Sequence, residues 1–141
     1  MKTKVEKSAG GIVYRNVDGQ TLWLITQHSK HKGWVFPKGH IGDKDSTESM
    51  ENAALREVEE EGGIKARIVN DDYIETSYRY QINGSMIKKT VYYFLMEYIS
   101  GDPKNHDWEM MDAKFVTTSE VREILKYKSD QEAYEKALKR L

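Results

Sequence analysis

A spaced set of glycines, acidic residues and one arginine in the first half of the chain restricts its fold more than any other feature. The set runs G-x5-E-x7-R-E-U-x-E-E-x-G-U, where U is a bulky aliphatic residue. Its seven fixed polar or glycine positions recur by chance on the order of 10⁻⁸ per window, so we expect its carboxylates to form one chemical site. The matching residues are Gly42, Glu48, Arg56, Glu57, Val58, Glu60, Glu61, Gly63 and Ile64.

The segment Thr47–Glu61 is predicted to be the helix that carries this set. It begins with hydroxyl residues, has no glycine or proline inside, and is followed by two glycines that act as a stop signal. At 100° per residue, Glu57 and Glu61 lie within about 40° of each other, and Glu60 lies about 60° to the other side. Three crowded carboxylates repel each other unless a cation neutralises them. Mg²⁺ or Mn²⁺ fits such a site, because hard cations prefer oxygen ligands.

Arg56 lies one turn before Glu60 on this helix and is predicted to hold that carboxylate in one orientation. Glu59 faces the other way and is predicted to be solvated. An acidic run such as residues 59–61 is, taken alone, most often a solvated helix face. The glycines, the arginine and Glu48 at fixed spacing favour a metal site over that structural reading.

The apolar pattern in the rest of the chain predicts strands before, between and after helices, and therefore an α/β domain with a mixed sheet covered on its faces. A loop is expected at Lys30–Lys44, a hairpin turn at Asn83-Gly84, and helical spacing near the C-terminus. The predicted strands are Ser8–Arg15, Leu22–Gln27, Lys65–Ile82, Ser85–Ile99 and Asp112–Val116.

Composition sets wider limits. The 141 residues are expected to form one domain over 1–141, and zero cysteines exclude disulfides and thiolate metal sites. A net charge of −1 gives no overall field that favours nucleic acid or an acidic membrane. The chain has no apolar run of the length that spans a membrane, so we predict a soluble, cytoplasmic protein without a membrane partner.

The spaced set resembles the signature of the Nudix hydrolases, which cleave nucleoside diphosphates linked to another moiety X. The segment SAGGIV at 8–13 resembles the family's first strand, and PKGHI at 37–41 resembles the loop before the signature. With KKTV at 88–91 and KYK at 126–128, the chain is most similar to the asymmetrical diadenosine tetraphosphate hydrolases. The resemblance implies an α/β/α sandwich with a mixed β-sheet and a metal-dependent pyrophosphohydrolase.

The resemblance also implies roles for individual residues, with Mg²⁺ or Mn²⁺ as the cofactor. The chain between Gly39 and Glu48 is three residues longer than in relatives, and we identify Gly39, rather than Gly42, as the counterpart of the family's first glycine. Glu57 or Glu109 is expected to be the general base. The implied metal ligands are Gly39, Glu57, Glu60, Glu61 and Glu109, the implied catalytic residues are Arg56 and the same four glutamates, and the implied substrate contacts are Lys38, Tyr80, Lys89 and Tyr127.

The expected substrate is a small-molecule nucleoside polyphosphate, with diadenosine tetraphosphate cleaved to ATP and AMP. Other Nudix substrates remain open: a nucleotide sugar, a diphosphoinositol polyphosphate, or the 5′-triphosphate end of RNA, because residues 33–37 also resemble RNA pyrophosphohydrolases. A catalytically silent module that binds a nucleotide is a further alternative. Five tyrosines are expected to be structural, namely Tyr73, Tyr78, Tyr92, Tyr93 and Tyr98. The four histidines, His28, His31, His40 and His106, are expected to be loop or surface residues.

Overall fold

Most of the chain is β-strand, with one α-helix between strands and two α-helices after the last strand. The structure is a computed structural model in which residues 2–42 and 45–141 are described. The strands are β1 (Lys2–Val17), β2 (Gln20–His28), β3 (Trp34–Val35), β4 (Lys38–His40), β5 (Ile64–Ile68), β6 (Ile74–Ile82), β7 (Ser85–Gly101) and β8 (Met110–Thr117). The helices are α1 (Met50–Gly62), α2 (Thr118–Ile124) and α3 (Lys128–Leu138), with a short 3-10 helix at Pro103–Asn105.

All eight strands belong to one mixed sheet. Its main order is β3-β2-β1-β7-β5, while β4 pairs with β1, β6 pairs with β7, and β8 pairs with β2. The central β1 and β7 run parallel, whereas their other partners run antiparallel. The prediction of a mixed sheet is confirmed.

Apolar side chains alternate between the two faces of the sheet, as the period of two in a strand requires. On β2, Leu24 packs on one face, while Trp23 and Ile25 pack on the other. The first face is covered by α1 through Ala54 and Val58. Helices α2 and α3 cover the second face, so the sheet lies between two helical layers. The predicted α/β/α sandwich is confirmed.

The hairpin predicted at Asn83-Gly84 connects β6 to β7. Both residues have positive φ, 48° and 75°, which is the backbone that a two-residue hairpin turn requires. Asp18 and Gly19, between β1 and β2, likewise both have positive φ, 51° and 79°. Both turns could be read from sequence because Asn, Asp and Gly tolerate this conformation.

Two predicted segments differ from the structure. The expected loop Lys30–Lys44 contains β3 and β4, and β4 adds to the edge of β1 with Lys38 opposite Gly10. Asp43 and Lys44 lie outside the described residues. The predicted strand Lys65–Ile82 is broken into β5 and β6, because the long β7 pairs with β6 along its first half and with β5 near its end. Local pattern carries no information on such pairing.

No helix among residues 2–42 and 45–141 is both long and apolar enough to cross a membrane.

Candidate active site

Helix α1 places the acidic residues at the edge of its buried face. Ser49 starts the helix by accepting the backbone N–H of Asn52, so the helix begins three residues later than predicted. Gly63 ends it in the left-handed conformation at φ 74°, and its N–H donates to the carbonyl of Glu59. The face that packs on the sheet continues into Glu57 and Glu61, each only 4% exposed.

Burial disfavours the ionised form of these two carboxyl groups. Burial, followed by the charge of nearby Glu57, raises the pKa of Glu61 to about 9. The pKa of Glu57 is also raised by burial, although the adjacent Arg56 partly offsets this. The Glu61 carboxylate accepts the backbone N–H of Lys38 at 3.2 Å. A bound cation would stabilise both groups in their ionised form.

Arg56 connects the segment before α1 to the acidic residues of the helix. Its Nη1 lies 3.3 Å from the Glu60 carboxylate, as the one-turn spacing predicted. It lies closer to Glu57, at 2.7 Å, and its Nε and Nη2 bind Glu48 at 2.7 and 2.9 Å. This pairing lowers the pKa of Glu48 and raises that of Arg56. The arginine therefore orients two carboxylates of the helix and ties them to the preceding loop.

Gly39 lies directly against the acidic cluster. A Cβ atom at this position would come within 2.2 to 2.4 Å of the Glu57 carboxyl atoms, so a side chain here would displace that carboxylate. Gly42 lies instead beside Glu48, to which its N–H donates at 3.3 Å. The geometry favours Gly39 over Gly42 as the glycine that belongs to the site.

The loop before β8 brings Glu109 to the same cluster. The backbone N–H of Asp107 donates to the Glu60 carbonyl at 2.8 Å, which attaches the loop to α1. Ser29 holds the other side, with its backbone N–H and its hydroxyl donating to the Glu109 carbonyl at 3.0 and 2.8 Å. The negative charge of Glu109 contributes to the raised pKa values of Glu57 and Glu61.

Four glutamates, Glu57, Glu60, Glu61 and Glu109, line a cavity of about 610 Å³, which we call the carboxylate cavity. Lys89 on β7 also lines it, and burial lowers the pKa of this lysine. Of the predicted site residues, it is lined by Lys38, Gly39, Glu57, Glu60, Glu61, Lys89 and Glu109. A cation site and lysines suited to phosphate oxygens therefore occupy one space.

A second cavity of about 800 Å³, the aromatic cavity, adjoins the first. It is lined by Tyr80 and Tyr127, and it shares Lys38, His31 and Tyr78 with the carboxylate cavity. The ring of Tyr127 meets that of His31 edge-on at 5.6 Å. The Tyr80 hydroxyl donates to Glu6, and this bond raises the pKa of Tyr80 to about 12. Aromatic faces thus stand beside a cluster of carboxylates and lysines.

Comparison with known proteins agrees with this arrangement. A family profile described as "NUDIX domain" matches residues 5–141. The chain belongs to the Nudix family. Several of its relatives are named as pyrophosphohydrolases or as a tetraphosphatase, and the chain is a Nudix hydrolase.

Two relatives and one solved structure illustrate this Nudix hydrolase's similarities. The chain is 32% identical to a Mycobacterium tuberculosis protein named MutT4, over 97% of this chain but only 56% of that protein's length. It is 30% identical to the Caenorhabditis elegans asymmetrical bis(5′-nucleosyl)-tetraphosphatase, over 87% of both. The crystal structure of a C. elegans Ap4A hydrolase binary complex gives a TM-score of 0.71 at 26% identity, covering 93% of each chain. Bacterial RNA pyrophosphohydrolases also match.

Nudix hydrolases generally use divalent metal ions. Within 2–42 and 45–141, no three His, Cys, Asp or Glu side chains are arranged as a complete ligand group. Oxygen donors are nevertheless grouped around the carboxylate cavity, from three glutamates of α1, Glu109 and the Gly39 backbone, although histidines line it as well. Burial raises the pKa of Glu61 to about 9, and a bound cation would favour its ionised form. This donor set fits a hard divalent cation.

The Nudix site also includes side chains that the sequence did not identify. Tyr78, expected to be structural, lines both cavities, and its position two residues before Tyr80 on one strand was a usable signal. His28, His31 and His40 were expected to be loop or surface residues, but they line the carboxylate cavity. The rings of His28 and His31 stack at 4.3 Å. No sequence spacing indicated this pair, because the loop between β2 and β3 positions it.

Proposed function

We propose that this Nudix hydrolase cleaves a phosphoanhydride of a nucleoside polyphosphate with the help of Mg²⁺ or Mn²⁺, and that its favoured substrate is diadenosine tetraphosphate, converted to ATP and AMP. The observation that carries the proposal is the junction of the two cavities. An aromatic cavity suits a nucleobase, a carboxylate cavity suits metal-bound phosphates, and Lys38 lines both. The similarity to the C. elegans tetraphosphatase supports the same substrate.

The residues that line the two cavities indicate how the substrate binds. A base enters the aromatic cavity and stacks on Tyr127 and Tyr80, since aromatic faces bind bases with little sequence preference. The polyphosphate then extends past Lys38 towards Lys89, whose cationic groups contact its oxygens. This orientation brings the phosphate chain to the glutamates of α1.

The chemistry is hydrolysis by water. A divalent cation held by the carboxylate cavity would lower the pKa of a bound water and neutralise polyphosphate charge. Glu57 or Glu109 accepts the proton of the attacking water. The water oxygen bonds to phosphorus, and the bridging oxygen leaves with the electron pair of the broken anhydride bond. Lys38 and Lys89 stabilise the charge that develops on the leaving phosphate.

The 5′-triphosphate end of RNA is the second candidate substrate. RNA pyrophosphohydrolases are among the relatives of this chain, and the chemistry at the anhydride would be the same. The net charge of −1 argues against it, because RNA binding relies on contacts between basic residues and phosphates. Diadenosine tetraphosphate requires no such surface.

The test is product analysis with the purified full chain, diadenosine tetraphosphate and Mg²⁺. We expect ATP and AMP in equal amounts, and no products after addition of a chelator. Parallel reactions contain triphosphorylated RNA, a nucleotide sugar and a diphosphoinositol polyphosphate. Faster cleavage of any of these would reject the dinucleotide as favoured substrate, and nucleotide binding without metal-dependent cleavage of any of them would identify a silent binding module.

A further inference from the structure

Asp130 is a buried acid in the wall of the aromatic cavity. It lies in the first turn of α3 and is 4% exposed, yet it lines the cavity beside Tyr78 and Tyr127. Its Oδ1 accepts the hydroxyl of Tyr93 at 2.7 Å, and Tyr93 is fully buried behind it. This pair fixes the carboxyl group in one orientation at the place where a base is expected to bind.

The carboxyl group keeps acceptor capacity that the protein does not use. A carboxylate offers about four acceptor positions, and in the described part of the chain Tyr93 is the hydrogen-bond partner found for Asp130. The charge of Lys38 and the bond from Tyr93 favour ionised Asp130, but burial outweighs them and raises its pKa. An acceptor in the wall of a cavity can still pair with a donor on a bound ligand. A ligand that brings N–H donors would satisfy it.

We propose that Asp130 determines which nucleobase the aromatic cavity accepts, by receiving N–H donors from the edge of the base. Guanine and adenine, which present an amino group, are preferred over uracil, which presents none. Guanine presents N1–H beside N2–H₂, two adjacent donors that match a carboxylate. Adenine presents N6–H₂ beside the N1 acceptor, and uracil presents one N–H between two carbonyl oxygens that repel the carboxylate. The inference rests on the proposed nucleoside polyphosphate substrate and adds its base preference.

A purely structural role for Asp130 makes a different prediction. An acid in the first turn of a helix interacts favourably with the helix dipole, and here it also satisfies Tyr93. Asp130→Asn separates the two roles. The amide oxygen still accepts the Tyr93 hydroxyl, whereas the other oxygen is replaced by an N–H₂ donor. A structural role would change stability and leave the ranking of bases as it was.

The experiment measures kcat/KM for the dinucleoside tetraphosphates that carry guanosine, adenosine or uridine at both ends. The wild-type chain should show a higher kcat/KM for the guanosine and adenosine substrates than for the uridine substrate. In Asp130→Asn the ratio of guanosine to uridine substrate should fall by about tenfold or more, because a donor now faces the donors of guanine. The matched control is Glu135→Gln, which neutralises an exposed acid of the same helix outside both cavities and should leave the ratio unchanged.

Two further measurements make each outcome decisive. Replacing guanosine by inosine in the wild-type assay removes the N2 amino group and should lower kcat/KM, which tests the proposal even if the Asn variant does not fold. Equilibrium binding of guanosine, adenosine and uridine 5′-diphosphates follows base preference without turnover. The predicted ranking in binding with no hydrolysis would reject the proposed function and retain the role of Asp130. Ratios unaffected by Asp130→Asn, or equal rates with inosine and guanosine, would overturn that role.

Discussion

Neighbouring glutamates of α1 differ in environment although their chemistry is identical. Glu60 lines the carboxylate cavity and contacts Arg56, whereas Glu59 is exposed on the opposite side of the helix. We expect Glu60→Gln to lower kcat at least about 100-fold, because even residues that only support a metal ligand typically contribute about 10–100-fold. Glu59→Gln is the matched control and should retain wild-type activity. Steady-state kinetics with a thermal melt of each variant provides the measurement, and a folded Glu60→Gln enzyme of normal activity would exclude Glu60 from the site.

The raised pKa of Glu61 predicts that this acid lowers the folding stability of the metal-free protein as pH rises. Its pKa is about 9 when folded and near 4.5 in an unfolded chain, so the folded state binds the extra proton between these values. Stability contributed by this residue therefore decreases as pH rises from about 4.5 to 9.

Glu61→Gln should remove this dependence. With chelator present, we expect the variant to be more stable than wild type at pH 8, by roughly 1 kcal/mol or more, and the difference to shrink towards pH 5. Mg²⁺ should then raise the melting temperature of wild type more than that of the variant. Urea unfolding at several pH values measures the difference. A variant less stable than wild type at pH 8 would contradict this account.

At the scale of elements, the end of α1 and the loop that carries Glu109 are packed against each other at Gly63. A Cβ atom there would lie 2.7 Å from the backbone N of His106 and 2.8 Å from the carbonyl of Asp102, and the backbone has φ 74°. Gly84 has the same conformation, φ 75°, but nothing lies within 4 Å of its missing Cβ. The two glycines separate backbone strain from steric contact.

Gly84→Ala should therefore cost about 1 kcal/mol of unfolding free energy, from backbone strain alone, and leave kcat unchanged. Gly63→Ala should cost about 1–3 kcal/mol more, because the loop must move, and should lower kcat through displacement of Glu109. Denaturant unfolding and steady-state kinetics of the two variants test this. Equal losses in both variants would show that contact between helix and loop is unimportant.

At the scale of the whole molecule, the proposed function divides substrate binding between two cavities, and this division predicts separate kinetic effects. Tyr127→Ala removes a ring from the aromatic cavity and leaves in place every residue that lines the carboxylate cavity. Stacking of a base on an aromatic ring contributes about 1–3 kcal/mol, so KM should rise roughly tenfold while kcat changes little. Tyr73→Ala is the control, since Tyr73 is similarly exposed, 40% against 37%, and lines neither cavity. A loss in kcat alone would argue against base stacking on Tyr127.

Local sequence was sufficient for the features that depend on neighbours along the chain. The spacing of Glu57, Glu60 and Glu61 fixes their common helix face, because 3.6 residues per turn is a property of any helix. Asn83-Gly84 fixes its hairpin through the conformations these residues tolerate. Both features appear in the structure as predicted, and the roles of the glutamates as metal ligands remain a prediction.

Tertiary structure alone decided the features that join distant segments. β4 pairs with β1 although its sequence lacks a strand pattern, Ser29 holds the loop of Glu109, and Asp130 meets Tyr93 from 37 residues away. His31 reaches Tyr127 across 96 residues. The sequence by itself determined the Nudix signature and its helix, because those follow from local backbone geometry. The second cavity and its buried acid required the fold, because side chains far apart in sequence become neighbours only when the sheet and its two helical layers have packed.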